Sequence, residues 1–366
     1  MAKCDLSIHL DDDKTSYRGG DTVTGTVEVR TDAEVQCKAL TVECQWRTHG
    51  KGNTARGRAQ RLDLAQGIWP PGAIQRYAFS FELPHGPFTY HGHYLNIGWF
   101  IRAQADIPWA LDPKAEQEIG VEPNPGQEPE WANLVHRMDA LPEALRAQIG
   151  APAAPLTPQA LRVSSALGYG CLSIIVIPLL LITMFGLYHG ISLLRNGGDW
   201  IEAALWIGVP LFVLAGLARG PLAVLLGTLR NRWAGKRLQD IDFDVTPLTL
   251  RRGESVQIRF SCRPDQNTVL NRATVRIEAE ERVTQGSGTS RRTHRKQVYS
   301  HEEDLPMPHS LSAGLPFQRE IEVTIPADAP PSFIAVDNRL DWTIRLQLDI
   351  PRWPDWSGER AILIHP

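Results

Sequence analysis

The sequence lacks every short signature that would place an active site by inspection. It has no Gly-x-Ser-x-Gly, no P-loop, no His-Glu-x-x-His and no Rossmann fingerprint. The local frames for a serine nucleophile, a nucleotide phosphate, a catalytic zinc or a dinucleotide are therefore missing. Cysteine is scarce. The five residues Cys4, Cys37, Cys44, Cys171 and Cys262 are an odd number and include no Cys-x-x-Cys pair, which fits free thiols in a reducing compartment better than a disulfide framework. Charge of one sign is lacking too: 38 Lys and Arg stand against 41 Asp and Glu, a net charge of −3, which speaks against a dedicated nucleic-acid binder. Residues 1–13 are polar and acidic, with no apolar core of a secretory signal. The 43% hydrophobic content supports folded domains rather than disorder, and 366 residues leave room for two.

What the chain does have is a ten-residue stretch written twice. Trp99-Phe-Ile-Arg-Ala-Gln-Ala-Asp-Ile-Pro108 returns as Trp342-Thr-Ile-Arg-Leu-Gln-Leu-Asp-Ile-Pro351, identical at seven of ten positions. Around the first copy, residues 6–10, 22–29, 39–46, 75–83 and 94–107 alternate apolar and polar side chains between Gly- and Pro-containing turns. Such period-2 patterning puts one face in a core and one in water, and short strands at this spacing predict a β-sandwich. The second copy has the same surroundings. Leu250-Arg-Arg-Gly-Glu-Ser-Val256 answers Tyr17-Arg-Gly-Gly-Asp-Thr-Val23, and Arg272-Ala-Thr-Val-Arg-Ile-Glu-Ala279 answers Lys38-Ala-Leu-Thr-Val-Glu-Cys44. Trp99 and Trp342 are expected between the sheets, and Pro108 and Pro351 at strand ends, where a missing N–H does no harm.

Between the copies lie two long apolar runs. Residues 167–194 are nearly uncharged and long enough for a hydrocarbon core of roughly 30 Å. After Arg195-Asn-Gly-Gly-Asp199 a second run, 200–217, is interrupted by Glu202 alone. These runs predict a transmembrane helical hairpin, with Trp200 and Trp206 at the headgroup level. Gly186 and Gly190 form a Gly-x-x-x-Gly helix-packing pattern. The basic cluster Arg219, Arg230, Arg232, Lys236 and Arg237 follows the second run, and Arg162 precedes the first. Both belong on the cytoplasmic side of the inner membrane, which leaves both β-domains in the cytosol.

The expected organisation is a β-sandwich over 1–121, a Pro/Ala-rich linker over 122–166, the hairpin and its basic flank over 167–237, and a second β-sandwich over 238–366. In the linker, Trp131, Leu134, Val135, Met138, Leu141, Leu145 and Ile149 fall at helical spacing and predict an amphipathic helix broken near Pro142. It could lie on the membrane, pack on a lobe or dock to a partner.

The order of motifs carries a resemblance. Tyr17-Arg-Gly-Gly-Asp-Thr-Val-Thr-Gly25, then Leu83-Pro-His-Gly-Pro-Phe-Thr-Tyr-His-Gly92, Ile97-Gly-Trp-Phe-Ile-Arg-Ala103 and Asp106-Ile-Pro-Trp109 resemble the successive strand signatures of arrestin-domain-containing and bacterial arrestin-like proteins. The resemblance implies a mainly β chain of two tandem arrestin-like, immunoglobulin-like sandwich lobes that bind other proteins without catalysis. This chain departs from that pattern by the inserted linker and hairpin, which argues against the close lobe packing usual in the family.

Two basic, Gly-containing stretches occupy equivalent places in the repeats and read as long hairpin tips. The first runs from Arg47 to Arg61 and includes Lys51, Arg56 and Arg58. The second runs from Arg282 to Lys296 and includes Arg291, Arg292, His294 and Arg295. Each is either a solvated tip or a surface for anionic lipid or for a partner's phosphate or carboxylate groups. His85, His91 and His93 lie close in sequence, and His-x-His on a strand can chelate, but no third or fourth ligand follows, so no metal and no cofactor is expected. The expected function is a membrane-anchored adaptor, itself able to self-associate, whose partners are membrane lipids and a membrane-associated protein rather than nucleic acid. The alternative is an accessory subunit of a transporter or membrane enzyme complex, and a metal-dependent hydrolase on the histidines is a third.

Overall fold

The computed structural model describes residues 4–109, 112–125, 131–149, 181–197, 199–218, 238–353 and 355–366, with backbone alone at 12, 132, 138 and 213–218. Alternation becomes strand wherever the sequence carries it. The first lobe contains β1 (Cys4–Leu10), β2 (Ser16–Arg18), β3 (Thr22–Thr31), β4 (Val35–Gly50), β5 (Arg56–Trp69), β6 (Ile74–Glu82), β7 (Tyr90–His91), β8 (Leu95–Asp106) and β9 (Lys114–Glu122). The second contains β10 (Leu238–Thr246), β11 (Thr249–Arg251), β12 (Ser255–Pro264), β13 (Thr268–Val269), β14 (Arg272–Gln285), β15 (Arg292–Asp304), β16 (Ser310–Leu311), β17 (Phe317–Thr324), β18 (Phe333–Ala335), β19 (Asn338–Asp349) and β20 (Trp356–His365).

The two lobes share one topology. The first pairs its strands in the orders β1-β3-β6 and β2-β9-β8-β4-β5, with β7 beside β8. The second repeats this as β10-β12-β17 and β11-β20-β19-β14-β15, with β18 beside β19, and adds a short β13–β16 ribbon. Even the exception recurs: β2 runs parallel to β9 and β11 parallel to β20, whereas the remaining pairs are antiparallel. The chain is thus mainly β, built from a duplicated pair of sheets.

The repeated decapeptide explains itself in this frame. Trp99 and Trp342 are fully buried on the inner faces of β8 and β19. Each indole donates to a proline carbonyl twelve residues back, Trp99 to Pro87 at 2.7 Å and Trp342 to Pro330 at 3.0 Å. On the outer faces, Gln104 donates to Asp112 at 2.9 Å and Gln347 to Asp355 at 3.1 Å, tying each strand to the loop that follows it. A buried Trp N–H requires an acceptor, which accounts for the shared spacing between the Pro-containing turn and the Trp strand.

The linker does not form one amphipathic helix. It breaks into α1 (Trp131–Leu134), a 3-10 turn (Met138–Ala140) and α2 (Glu143–Gln148), the last beginning after Pro142. Its apolar residues still find a core: Leu134, Val135, Leu141 and Leu145 are buried in one continuous cluster with residues of both lobes. Val135 bridges Ile334, the His136 N–H donates to Ile334 O at 2.8 Å, and Gln148 exchanges hydrogen bonds with Leu248 and Thr249. The linker belongs to the second lobe's surface as much as to the first, and the lobes do touch, contrary to the separation that the inserted segments suggested.

Of the two apolar runs, residues 181–195 form a helix, α3, and Trp200–Ala218 form α4. No helix among the described residues is long and apolar enough to cross a membrane. Residues 167–180 of the first run, Cys171 among them, lie outside the described residues, as does the basic cluster Arg219, Arg230, Arg232, Lys236 and Arg237.

Candidate partner-binding surface

The hairpin tips expected to be free meet at the junction between the lobes. Gly50 leaves β4 in the left-handed region (φ +126°), and the turn 51–55 projects onto the second lobe. There Asn53 is saturated: its Nδ2 donates to Gly286 O (3.0 Å) and Asp337 Oδ2 (2.8 Å), its Oδ1 accepts from Gly286 N–H (2.9 Å), and its own N–H donates to Thr284 O (2.8 Å). Asn338 Nδ2 closes the set on Asn53 O at 2.6 Å.

Beside this contact lies Glu281, a fully buried carboxylate on β14. It accepts from Tyr90 Oη (2.7 Å), His93 N–H (3.0 Å), Tyr94 N–H (2.7 Å) and Leu95 N–H (3.3 Å), all from the first lobe. Only glycine fits at 92, since a Cβ there would overlap Glu281 Oε1. Burial, and then the neighbouring Glu281, push the Tyr90 hydroxyl far above its ordinary range, so it stays a donor. A buried carboxylate needs such donors, and four from a single segment make Glu281 a clamp between lobes.

The basic residues divide by partner. Arg47 makes a two-pronged pair with Glu116 (2.9 and 2.6 Å) and lies 3.7 Å over the Phe100 ring. Lys51 sits 4.5 Å over Tyr94. Arg58 and Arg61 share Glu43 at 3.0 and 3.7 Å, Arg291 pairs with Asp337 at 2.7 Å, and Arg295 reaches Glu280 at 3.9 Å. Among the described residues Arg56, Arg292 and Lys296 make no ion pair. Arg56, Arg58 and Arg61 stand on the strand β5 rather than in a loop. With Arg102 they line an outer-face groove of about 550 Å³ around Glu43. A second cavity of about 490 Å³ opens on the other side of β5, between Gly57–Gln60 and Glu82–Gly86, floored by Trp46 and Trp99.

His91 and His93 are exposed and His85 lines the second cavity. Among the described residues no three His, Cys, Asp or Glu side chains converge on a metal-sized site. The thiols Cys4, Cys37, Cys44 and Cys262 are free and buried. Burial raises Cys44 to about 12 and Cys262 to about 11, so these thiols are poor nucleophiles.

No family model matches the sequence, and no curated protein matches it. Among solved structures, the crystal structure of Spo0M, sporulation control protein, from Bacillus subtilis is similar at 20% identity over 34% of this chain, with a TM-score of 0.30. The match covers 51% of that chain, about half its length.

Proposed function

We propose that this chain is a membrane-anchored, non-enzymatic adaptor of arrestin-like build, with both lobes on the cytoplasmic face of the membrane and partner proteins docking on them. The observation that carries the anchor is the pairing of α3 with α4. A Cβ on Gly186 would lie 2.9 Å from Pro210, and one on Gly190 would lie 2.7 Å from Ile207 and 3.1 Å from Ala203 O. Small residues thus let the helices touch along one seam, as helices do in lipid. Much of their described outer surface is apolar and bare, with Tyr188 74% and Phe212 82% exposed. Contiguous apolar area of this kind requires a cover, and the apolar runs extend past both described helices.

The re-entry point agrees. The basic residues between Arg219 and Arg237 lead directly into Leu238, which pairs with Pro264. Pro264 O accepts from Gly314 N–H, and next to it Leu315 is 61% exposed. In sequence, a cationic segment thus runs into the strand whose neighbour carries the exposed Leu315 beside it, a combination suited to an anionic bilayer surface. Anchoring confines the lobes to two dimensions and raises their effective concentration toward membrane clients without new contacts.

Protease treatment of sealed inner-membrane vesicles tests the anchor: both lobes will be cut from the cytoplasmic side, and alkaline carbonate will leave the chain in the membrane. Lobes cut from opposite sides, or release by carbonate, overturn it. In a gentle-detergent pull-down, a stoichiometric polytopic protein would shift the reading to an accessory subunit of a transporter or membrane enzyme complex, to which the bare helix faces are also suited.

A further inference from the structure

We infer that the apolar tip of the first lobe, the turn between β5 and β6 together with Trp109, inserts into the lipid surface, a second bilayer contact besides the hairpin. This goes beyond the adaptor reading and rests on it for bringing the lobe to a membrane.

The tip lies at the end of the lobe away from the junction. There β4 begins at Val35, and its other end, Gly50, reaches the junction. Residues 67–74 read Gly-Ile-Trp-Pro-Pro-Gly-Ala-Ile, with no charged side chain and one hydrogen-bonding group, the Trp69 indole. That indole is buried and donates to Tyr77 Oη at 3.0 Å, which pins the turn to the core. Its neighbours face water: Ile68 is 64% exposed and Ile74 58%, and Pro70 and Pro71 are exposed. Ile68 stands opposite Gln36 on β4 and Ile74 opposite Arg30 on β3, so both sheets end in the patch. β8 pairs Asp106 with Ala39 near the start of β4, and three residues later Trp109 is fully exposed on left-handed backbone (φ +60°). Among the described residues of the first lobe four large apolar side chains are exposed, Leu62 being the fourth. Three of them at one end make a patch, not the usual scatter.

The backbone of the turn suits hydrocarbon. Pro70 and Pro71 have no N–H to satisfy. Gly72 N–H donates to Thr31 O (2.7 Å), Ala73 N–H to Pro70 O (3.4 Å), and Thr31 N–H to Ala73 O (3.2 Å). A turn whose polar groups are paired internally can leave water without the cost that keeps ordinary loops out of lipid. Gly67 (φ +129°) and Gly72 (φ +71°) supply its two left-handed corners.

Other occupants fit less well. A second copy or a partner protein needs about 20–30 residues a side for a stable interface, and the tip offers only residues 67–74 and Trp109. Insertion into lipid has no such minimum, since each apolar side chain that enters adds its own transfer free energy. The contact is apolar, not electrostatic. Arg30 and Arg76 both pair with Glu28, at 2.8 and 2.9 Å, and Asp32 and Glu34 are exposed in the adjoining turn. No cationic excess therefore selects anionic headgroups.

The test uses the full chain in phosphatidylcholine vesicles, with a nitrobenzoxadiazole label on Pro71→Cys, on Arg56→Cys near the junction, or on Tyr188→Cys in α3. Cys4, Cys37, Cys44 and Cys262 are buried, and the parent chain taken through the same labelling gives the background. Lipids with a spin label high on the acyl chain will quench the label at 71 at least about threefold more than the label at 56, as insertion to the boundary of headgroups and acyl chains requires. Ile68→Asp with Ile74→Asp will bring quenching at 71 down to the level at 56, and leucine at both sites will keep it. Both side chains are exposed, so the fold survives either exchange. Adding phosphatidylserine will leave quenching unchanged. Quenching at 188 but not at 71 overturns the inference and leaves the anchor standing, whereas quenching at 71 but not at 188 removes the anchor alone. A blue shift at 71 without quenching means that protein covers the tip, and a requirement for phosphatidylserine means that charge drives the contact. Either result overturns the inference.

Discussion

Glu281→Ala will destabilise the folded chain by about 3 kcal/mol or more, measured by urea unfolding in detergent, because it strips the acceptor from the Tyr90 hydroxyl and from the His93, Tyr94 and Leu95 amides. Each orphaned donor that water cannot reach costs roughly 1–3 kcal/mol; the Leu95 amide, the fourth donor to the same carboxylate, is buried, and the other three are partly so. The shape of the curve will change as well. With Glu281 in place the lobes share one buried cluster and are expected to unfold together. Without it, the contact depends chiefly on Asn53 and the linker, and the unfolding curve is expected to split into two transitions. Glu281→Gln will fall between, since its amide group presents a donor where two backbone donors already point. Gly92→Ala, which intrudes on the same carboxylate from the other side, will reproduce the split with no change of charge. A Glu281→Ala protein within 0.5 kcal/mol of the parent, unfolding in one step, would show that the clamp does not join the lobes.

The clamp was legible in part. Residues 273, 275, 277, 279, 281 and 283 share one face of β14, and five of the six are Ala, Val or Ile. A glutamate on that face is a buried acid, and a buried acid needs donors. What the sequence could not say is that the donors would come from 186 to 191 residues away, because alternation reports a face and not the neighbour it meets. By the register of the Trp strands, the matching position in the first lobe is Thr48, which is buried and closes its own turn by accepting from Ala55 N–H at 2.8 Å. Duplication therefore preserved burial at this position but not its use.

β5 illustrates the opposite failure. Its run of Arg, Gly, Gln, Asp and Ala has little apolar alternation, and read alone it looks like part of a long loop. It is a strand because β4 offers it a continuous ladder, a tertiary effect that outweighs weak local propensity. The linker misled through its spacing. Trp131 to Ile149 kept a helical period, but Pro142 and the meeting with Ile334 imposed short turns instead of one helix. The apolar positions were nonetheless the right ones to expect in a core. The decapeptide was the most legible part, since each of its residues has a role set by strand parity: Trp inward, Gln outward to the next loop, Pro after the last paired residue.

That parity supplies the second large effect. Trp99→Ala and Trp342→Ala will each cost about 3–5 kcal/mol, the range for deleting a buried aromatic side chain from a core that cannot fully collapse. Trp→Phe at either site will cost less, leaving chiefly an unpaired proline carbonyl, Pro87 O or Pro330 O. The two sites will not be equal. Trp342 packs against Tyr299 at 5.3 Å between ring centres, so its removal leaves a void among bulky neighbours. Trp99 floors the open cavity beside β5, where water can enter and lower the cost. Trp342→Ala is therefore expected to be the more damaging of the two. The double variant separates two views of the duplication. If the lobes are independent, the two costs will appear in different transitions and add, as distant sites do. If Glu281 couples them, the first substitution will already weaken the junction and the second will cost less than it does alone. In a Glu281→Ala background the same pair will become additive. A pair additive with and without Glu281 would mean that the two lobes touch at the junction without stabilising one another.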